Sequence, residues 1–247
     1  MIPLLRGWTT VQRTAQNNIR LGMTLCFVAG ATNAGGFLAV GQYTSHMTGV
    51  LSSVADNLVL GRFTLALAGL AALLAFLGGA MTTAWMVNWG LRRKLQSAYG
   101  RPLLLEAALL LVFGMFGTGI NVWAGLFAPL TVLLLCYLMG LQNAVITKIS
   151  HAEIRTTHIT GLVTDMGIEL GKLLYFNRLS RDVLVTADRH RLGIHLKLVG
   201  SFFIGGLSGA IGFKTVGFAA TVPLSVLLLM VVFRPVLNDA KNWIDPH

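Results

Sequence analysis

The sequence predicts an all-α integral membrane protein, and three observations support this class. Hydrophobic residues make up 55% of the 247 residues and charged residues only 11%, whereas about a quarter of an ordinary soluble domain is charged. Apolar runs long enough to cross a hydrocarbon core of ~30 Å recur along the whole chain. The basic residues are concentrated between these runs. Membrane topology therefore explains the formal net charge of +10 better than nucleic-acid binding, which we do not expect.

Six apolar runs are predicted to span the membrane: 21–41, 64–90, 102–124, 129–147, 195–213 and 216–233. The first follows Arg6, Arg13 and Arg20 and has no small-residue cleavage site, so we expect a retained span rather than a signal peptide. Two further segments, 47–61 and 157–175, contain Thr, Ser, Asp or His and are too short or too polar for ordinary spans. We expect each to be a re-entrant or half-helix segment, with a full crossing as the alternative.

The distribution of lysine and arginine predicts the orientation. With a cytoplasmic N-terminus, six spans place 17 of the 19 basic residues inside and leave only Arg62 and Lys214 outside. A full crossing by 47–61 would move the basic loop after the second span to the outside, against this rule. We therefore predict a multi-pass protein of the bacterial inner membrane, with cytoplasmic tails at 1–20 and 237–247.

The two halves of the chain share sequence blocks in the same order. The matching blocks are "LCFVAGATNA" (25–34) with "LCYLMGLQNA" (135–144), "TSHMTGV" (44–50) with "TTHITGL" (156–162), and "FLGGA" (76–80) with "FIGGL" (203–207). We call residues 44–50 the first motif and residues 156–162 the second motif. Agreement over several blocks in one order predicts an internal repeat.

The repeat predicts an inverted topology. The first repeat covers 21–124, with its motif segment at 44–61, and the second covers 125–236, with its motif segment at 156–175. Because each repeat contains three spans, the second enters the membrane in the opposite orientation. Inverted repeats with interrupted segments at matching positions are typical of secondary transporters. A duplicated structural bundle without a transport role is the plainer alternative.

The motifs predict a pair of helix N-termini. Thr48-Gly49 and Thr160-Gly161 are expected to open the helices that follow, because Thr is a favourable N-cap and Gly lets a ligand approach the backbone. The free N–H groups and partial positive charge of a helix N-terminus suit an anionic or strongly polar group. We therefore expect two half-helix N-termini to face one substrate site. Ordinary capping of a turn is the alternative.

Other polar residues extend the candidate site. Residues expected to contribute to substrate binding are Asn33 and Asn143, in Gly-flanked breaks, and Ser52 and Thr164, beyond the motifs. Candidates for coupling, as ionisable groups at or near membrane depth, are His46, Asp56, His158, Asp165 and Glu106. The asparagines could instead satisfy broken backbone, the histidines could be hydrogen-bonding struts, and Glu106 could snorkel to the inner face. Glu169 and Lys172 are expected to pair with each other at i, i+3.

Several function classes lack support in the sequence. Cys26 and Cys136 lie inside apolar runs and do not form a disulfide, zinc or redox pattern. No catalytic-triad order, metalloprotease helix, P-loop or dinucleotide fingerprint is present. We therefore expect no enzyme activity, no cofactor and no bound metal.

At "GATNAGGFLAVGQYTSHMTG" and "THITGLVTDMGIELG" the chain resembles the YoaK-type family, small bacterial inner-membrane proteins of largely unassigned function. The resemblance covers most of residues 20–234, and its most specific part in the second half is Thr157, Thr160, Gly161 and Asp165. The family pattern often has Asp where this chain has Asn33, and Asn where it has Val50. If those groups bind cargo or an ion in relatives, the resemblance implies a different selectivity here.

The sequence as a whole predicts a secondary transporter or facilitator for a small polar solute, for which an anion is one candidate. It would act by alternating access between the two halves, embedded in the lipid bilayer, with proton or ion coupling and homo-oligomer formation left open. A channel of the same architecture is one alternative. A membrane scaffold or sensor that acts through the basic loop at 177–197 is another.

Overall fold

The computed structural model describes residues 8–11, 14–120, 122–150, 156–176 and 184–244. Every regular element in these ranges is helical, which confirms the all-α prediction for this part of the chain. In chain order the elements are α1 (Ala15–Val40), α2 (Met47–Val59), α3 (Phe63–Arg92), α4 (Arg101–Ile120), α5 (Ala124–Ile149), α6 (Ile159–Leu174), α7 (Arg189–Val216), a 3-10 turn (Gly217–Ala220) and α8 (Thr221–Ile244).

Five helical stretches are long and apolar enough to cross a membrane, namely α1, α3, α4, α5 and a stretch of 53 residues from Arg189 to Lys241. The last would be about 80 Å long if it were one straight helix. Its α-helical backbone is interrupted instead at Gly217, with φ 62° and ψ -145°, where the 3-10 turn begins. The predicted spans 195–213 and 216–233 both lie in this interrupted stretch.

Capping groups place some helix ends away from the predicted ones. The Thr14 hydroxyl accepts a hydrogen bond from the Asn17 N–H at 3.3 Å, so α1 begins before the predicted start at 21. The Asp188 carboxylate accepts from the Arg191 N–H at 2.9 Å and starts α7 before the predicted 195. Pro129, predicted to begin a span, lies inside α5. In the first two cases a side-chain cap satisfies N–H groups that the helix leaves open.

The pair α1 and α7 packs so closely that the helix backbones touch. A Cβ at Gly30 would collide with the Phe202 carbonyl oxygen, and a Cβ at Gly205 would collide with the Phe27 carbonyl oxygen. Small residues permit such approaches between membrane helices. Any larger side chain at these two glycines would force the helices apart.

The pair α3 and α5 repeats this contact with other residues. A Cβ at Gly140 would collide with the Phe76 carbonyl oxygen, and a Cβ at Gly79 with the Tyr137 carbonyl oxygen. Each close pair therefore joins one helix from each half of the chain. The hydroxyl of Thr83 adds a hydrogen bond of 2.9 Å to the Leu141 carbonyl within the second pair.

These contacts correct the register of one predicted match. Phe27 and Tyr137 occupy the same place in the blocks 25–34 and 135–144. Their partners are Gly205 and Gly79, whereas the match of "FLGGA" with "FIGGL" pairs Gly79 with Gly206. Runs of similar apolar residues align almost equally well after a shift of one residue, and only the backbone contact selects the register.

The remaining helices complete the bundle. α2 packs on α3, α6 packs on α7, and α4 packs on both α5 and α8. The outer side of α3 exposes Leu67, Leu74 and Met81, which follow one another at two-turn intervals. Soluble monomers rarely expose such continuous apolar surfaces. This side of the bundle therefore contacts the lipid bilayer.

Candidate functional site

The two short helices begin in the same way but not at the predicted residue. α2 and α6 each start directly after the motif histidine, so His46 and His158 occupy the N-cap positions. Neither histidine makes a side-chain capping hydrogen bond. Thr48 and Thr160 are exposed second residues of the helices, so the prediction that they cap them is wrong. A cap needs a non-helical backbone at its own residue, and both threonines are already helical.

The glycine of each motif lies directly under the histidine ring. A Cβ at Gly49 would approach Nε2 of His46 to 2.7 Å, and a Cβ at Gly161 would approach Nδ1 of His158 to 2.6 Å. Real Cβ atoms do not tolerate contacts this short, so a larger residue would displace the ring. The shared His-x-x-Gly spacing thus places each imidazole across the first turn of its helix.

Asn33 and Asn143 hold the chain segment that precedes each motif helix. The Ser45 hydroxyl donates to Oδ1 of Asn33 at 3.1 Å. Oδ1 of Asn143 accepts from the Thr156 hydroxyl at 3.0 Å and from the Thr157 N–H at 3.2 Å, while its Nδ2 donates to the Thr157 hydroxyl at 2.7 Å. We call these contacts the first latch and the second latch. In this structure the two asparagines, predicted as substrate ligands, bind the motifs.

A cavity of about 820 Å³ lies beside the first motif, bounded by α1, α2, α3 and α5. Its volume falls within the usual range of small-molecule sites, about 300–1,000 Å³. The side of α2 that lines it carries His46, Gly49, Ser53 and Asn57. The predicted site residues Thr48, Ser52 and Asp56 are exposed on a neighbouring side of α2 and do not line this cavity.

The corresponding side of α6 carries two carboxylates. When the motif histidines are aligned, Ser53 corresponds to Asp165 and Asn57 to Glu169. Oδ2 of Asp165 lies 3.4 Å from Nη2 of Arg191, which comes from α7. The side of α2 that faces the cavity therefore corresponds to a side of α6 that faces the guanidinium group of Arg191. The predicted ligand on the other side of α6, Thr164, donates within its own helix to the Thr160 carbonyl at 2.9 Å.

The Glu169 carboxylate makes one more contact than the sequence predicted. Its Oε1 accepts from Nζ of Lys172 at 2.7 Å, which confirms the predicted i, i+3 pair. Its Oε2 also accepts from the Asp188 N–H at 2.7 Å, directly before α7. The hydrogen bond from Lys172, followed by that from the Asp188 N–H, lowers the pKa of the Glu169 carboxyl. The charged form of Glu169 thus anchors α6 to the start of α7.

The two motifs contact α1 at different levels. The Thr156 carbonyl accepts from Sγ of Cys26 at 3.6 Å, whereas the Thr44 hydroxyl lies 3.7 Å from the Cβ position of Gly36. Ten residues of helix separate these points, which is about 15 Å along the axis. The structure therefore does not bring the two helix N-termini to one point.

The bundle contains buried polar groups that the sequence analysis did not resolve. Two of them, Thr32 and Gln142, were not predicted, and the position of Glu106 was left ambiguous. Oγ1 of Thr32 and Oε1 of Gln142 are buried without a hydrogen-bond partner in the described part of the chain. Each lies directly before a latch asparagine, so the two occupy matching positions in the two halves. This match between the halves is the feature of the sequence that could have identified them. Glu106 on α4 is fully buried, and neither of its oxygens has a partner there. The alternative that Glu106 snorkels to the surface is therefore wrong.

The basic loop proposed for a scaffold is only partly described. Five arginines used in the orientation and scaffold predictions lie outside the described residues: Arg6, Arg13, Arg155, Arg178 and Arg181. Arg189 and Arg191 begin α7, and Arg191 pairs with Asp165. At least one basic residue of this loop therefore contacts the second motif helix.

Comparison with known proteins identifies the family. The family profile described as Protein of unknown function (DUF1275) matches residues 21–233. The UPF0700 transmembrane protein YoaK of Bacillus subtilis (strain 168) is 28% identical over 185 residues, which cover 73% of this chain and 79% of that relative. No solved structure matches the chain. With its apolar helical stretches the chain is a multi-pass membrane protein, and the predicted YoaK-type resemblance is confirmed: it belongs to the DUF1275 family.

Proposed function

We propose that this protein is a secondary transporter or facilitator of the bacterial inner membrane, with six spans in two inverted repeats and both termini in the cytoplasm. The observation that carries the proposal is the pair of latches. Asn33 and Asn143 occupy matching positions in the two halves, and each binds the segment before a short helix. Interrupted segments at matching positions of two inverted repeats are where transporters of this kind bind their cargo.

The helix packing supports a rocking movement of two bodies. One body contains α1 and α7 with α6, and the other contains α3 and α5 with α2. The backbone contacts at Gly30 and Gly140 keep each close pair rigid. The bodies meet where α1 contacts α5, and each latch joins one body to the other. Rotation about the α1–α5 contact would open one latch while the other stays closed.

In this scheme the structure is the state that is open at the first motif. The first latch has one hydrogen bond, and the cavity is lined by Thr44 and His46, on either side of Ser45. The second latch has three hydrogen bonds and is flanked by ion-paired Asp165 and Glu169. The opposite state would break the second latch and close the cavity. Alternating access to a site between the bodies would follow.

The cavity lining supports a small polar solute as cargo. Its polar groups include the imidazole of His46, the hydroxyl of Ser53 and the amide of Asn57, and no Asp, Glu, Lys or Arg is among its described lining residues. Hydroxyl, amide and imidazole groups donate and accept hydrogen bonds. They suit a neutral polar molecule or a weakly held anion.

Glu106 is our candidate for proton coupling. A carboxylate buried without a cation or a hydrogen-bond donor costs several kcal/mol, so the carboxyl is neutral in this state. Movement of the bodies that admits water to α4 would let the proton leave. Intramembrane carboxyl groups serve such relays in pumps and transporters. His46 and His158, at the openings, are second candidates for proton transfer.

Labelling of a cavity residue tests alternating access without knowledge of the cargo. Ser53→Cys, with Cys26 and Cys136 changed to alanine, is treated with a membrane-impermeant maleimide in sealed vesicles. A short thiol crosslinker between Asn143→Cys and Thr157→Cys should keep Ser53→Cys reactive. Asn143→Ala, which removes the second latch and so favours the opposite state, should slow the reaction.

The control for this experiment is Arg62→Cys, which is exposed between α2 and α3 and should react in every case. Labelling of Ser53→Cys at the same rate with the second latch crosslinked and with it removed would contradict alternating access and would favour the channel alternative. A thermal-shift screen with inorganic anions, amino acids and sugars then identifies the cargo class, because a ligand at ~100 times its dissociation constant adds about 2.7 kcal/mol. Stabilisation should be lost in Ser53→Ala.

A further inference from the structure

A second large cavity, of about 830 Å³, lies at the other end of α3, where this helix meets the start of α4 and the last turns of α8. We call it the α3–α8 groove. Its lining joins Trp89, Arg93 and Arg101 to apolar side chains such as Met86 and Leu104. We propose that this groove binds the headgroup of an anionic phospholipid. The proposal is independent of transport.

The two arginines converge on one aromatic ring. The guanidinium carbons of Arg93 and Arg101 lie 4.9 and 4.7 Å from the centroid of the Trp89 indole. An aromatic face attracts cations, but two cations on one ring also repel each other. A negative charge placed between or beside them would relieve this repulsion. The guanidinium groups could bind a phosphate through paired N–H donors.

The described part of the chain does not supply that negative charge. Its two ion pairs involve neither Arg93 nor Arg101. Nε of Arg101 is buried without a hydrogen-bond partner among the described residues, which is unfavourable for a charged donor. The carboxylate that lines the groove belongs to Asp239, and it accepts hydrogen bonds from the N–H groups of Gln96 and Ser97, both at 2.9 Å. The groove therefore keeps a net positive charge and an unsatisfied donor.

The surroundings favour a lipid over a soluble anion. α3 is one of the stretches long and apolar enough to cross the membrane, and it ends at Arg92. Tryptophans such as Trp85 and Trp89 are enriched at the membrane–water interface, and Trp85 is 75% exposed. Leu104 and Leu105 extend the lining towards the apolar part of α4, where acyl chains would lie. Basic pockets between membrane helices typically bind anionic headgroups.

Native mass spectrometry of the full-length protein tests the proposal with two phospholipids of equal chain length. Phosphatidylglycerol should bind in preference to zwitterionic phosphatidylethanolamine. Arg93→Gln and Arg101→Gln should each weaken phosphatidylglycerol binding about fivefold, the effect expected for one basic residue near a membrane surface. Arg92→Gln is the matched control, because Arg92 is an exposed neighbour that does not line the groove.

Three outcomes would overturn the proposal. The first is equal binding of the two phospholipids, and the second is an equal loss in Arg92→Gln, which would indicate general surface charge. The third is displacement of phosphatidylglycerol by inorganic phosphate at the concentration of the lipid, which would assign the groove to a soluble anion. The melting temperature in phosphatidylethanolamine checks that each variant folds. If Arg101→Gln does not fold, the exposed Arg93→Gln carries the test.

Discussion

The first and second motifs have almost the same sequence and the same local geometry, yet they meet different surroundings. In both, the imidazole lies over the motif glycine and an asparagine holds the preceding segment. The first latch consists of one hydrogen bond and the second of three. One side of α2 faces a cavity, whereas the matching side of α6 presents two carboxylates to Arg191 and Lys172.

The difference separates what a motif determines from what its partners determine. The His-x-x-Gly spacing places the ring wherever it occurs, because the contact is within one helical turn. Whether a motif helix faces a cavity or is held by charged and polar contacts depends on groups that are distant in sequence. For the second motif these groups are Arg191 and the Asp188 N–H at the start of α7. Two copies of one motif therefore have different surroundings in one molecule, as the proposed alternating access would require.

Removal of the latch asparagines should give the largest difference between the motifs. Asn143→Ala deletes three hydrogen bonds to the second motif and should cost about 2–3 kcal/mol, at about 1 kcal/mol for each bond. Asn33→Ala deletes one and should cost about 1 kcal/mol. Unfolding in detergent followed by circular dichroism measures both. Gln16→Ala, at an exposed position of α1, is the control, and equal losses in the two latch variants would refute the asymmetry.

Substitution of the motif glycines should affect both motifs equally. Gly49→Ala and Gly161→Ala place a methyl group against the histidine ring, and displacement of that exposed ring should cost about 1 kcal/mol in each case. The second substitution His46→Ala, made in Gly49→Ala, should recover most of this loss. A double-mutant cycle measures the coupling. No coupling would mean that the ring does not occupy this position.

Acid should destabilise only the second motif. The lowered pKa of Glu169 means that its contribution is fully present above the ordinary pKa of glutamate, ~4.3, and is lost as the pH falls through the lower value of the folded state. The corresponding residue of the first motif, Asn57, does not titrate. Melting temperatures between neutral and acidic pH should fall more steeply in the natural protein than in Glu169→Gln. Parallel curves would contradict the anchoring role of Glu169.

The smallest expected effect concerns the aspartates. Asp165→Asn removes a partly exposed ion pair with Arg191 and should cost at most about 1 kcal/mol, less at high salt. Asp56→Asn removes an exposed carboxylate for which the described residues supply no ion pair, and stability should not change. Thermal unfolding at two salt concentrations compares the variants. A salt-independent loss at Asp165 would point to a role other than ion pairing.

The chain alone was sufficient to predict the class, the family resemblance and the local pairs. Composition and long apolar runs indicated membrane helices because a bilayer imposes length and polarity on any segment that crosses it. The pair of Glu169 and Lys172 was predictable because i, i+3 neighbours meet on any helix. The correspondence of Asn33 with Asn143 was also visible, since it required only alignment of the chain with itself.

Tertiary contacts decided which of two equally polar sides of α2 lines the cavity. Thr48, Ser52 and Asp56 repeat at helical spacing as regularly as Gly49, Ser53 and Asn57, so periodicity could not choose between them. Packing of α2 on α3 turns the second set inward. The register of the glycine contacts, to within one residue, likewise depends on a helix that is distant in sequence. So does the burial of Glu106 away from hydrogen-bond partners in the described part of the chain. Local spacing fixes what a single helix presents, whereas the neighbouring helices fix which of its sides is buried, paired or open.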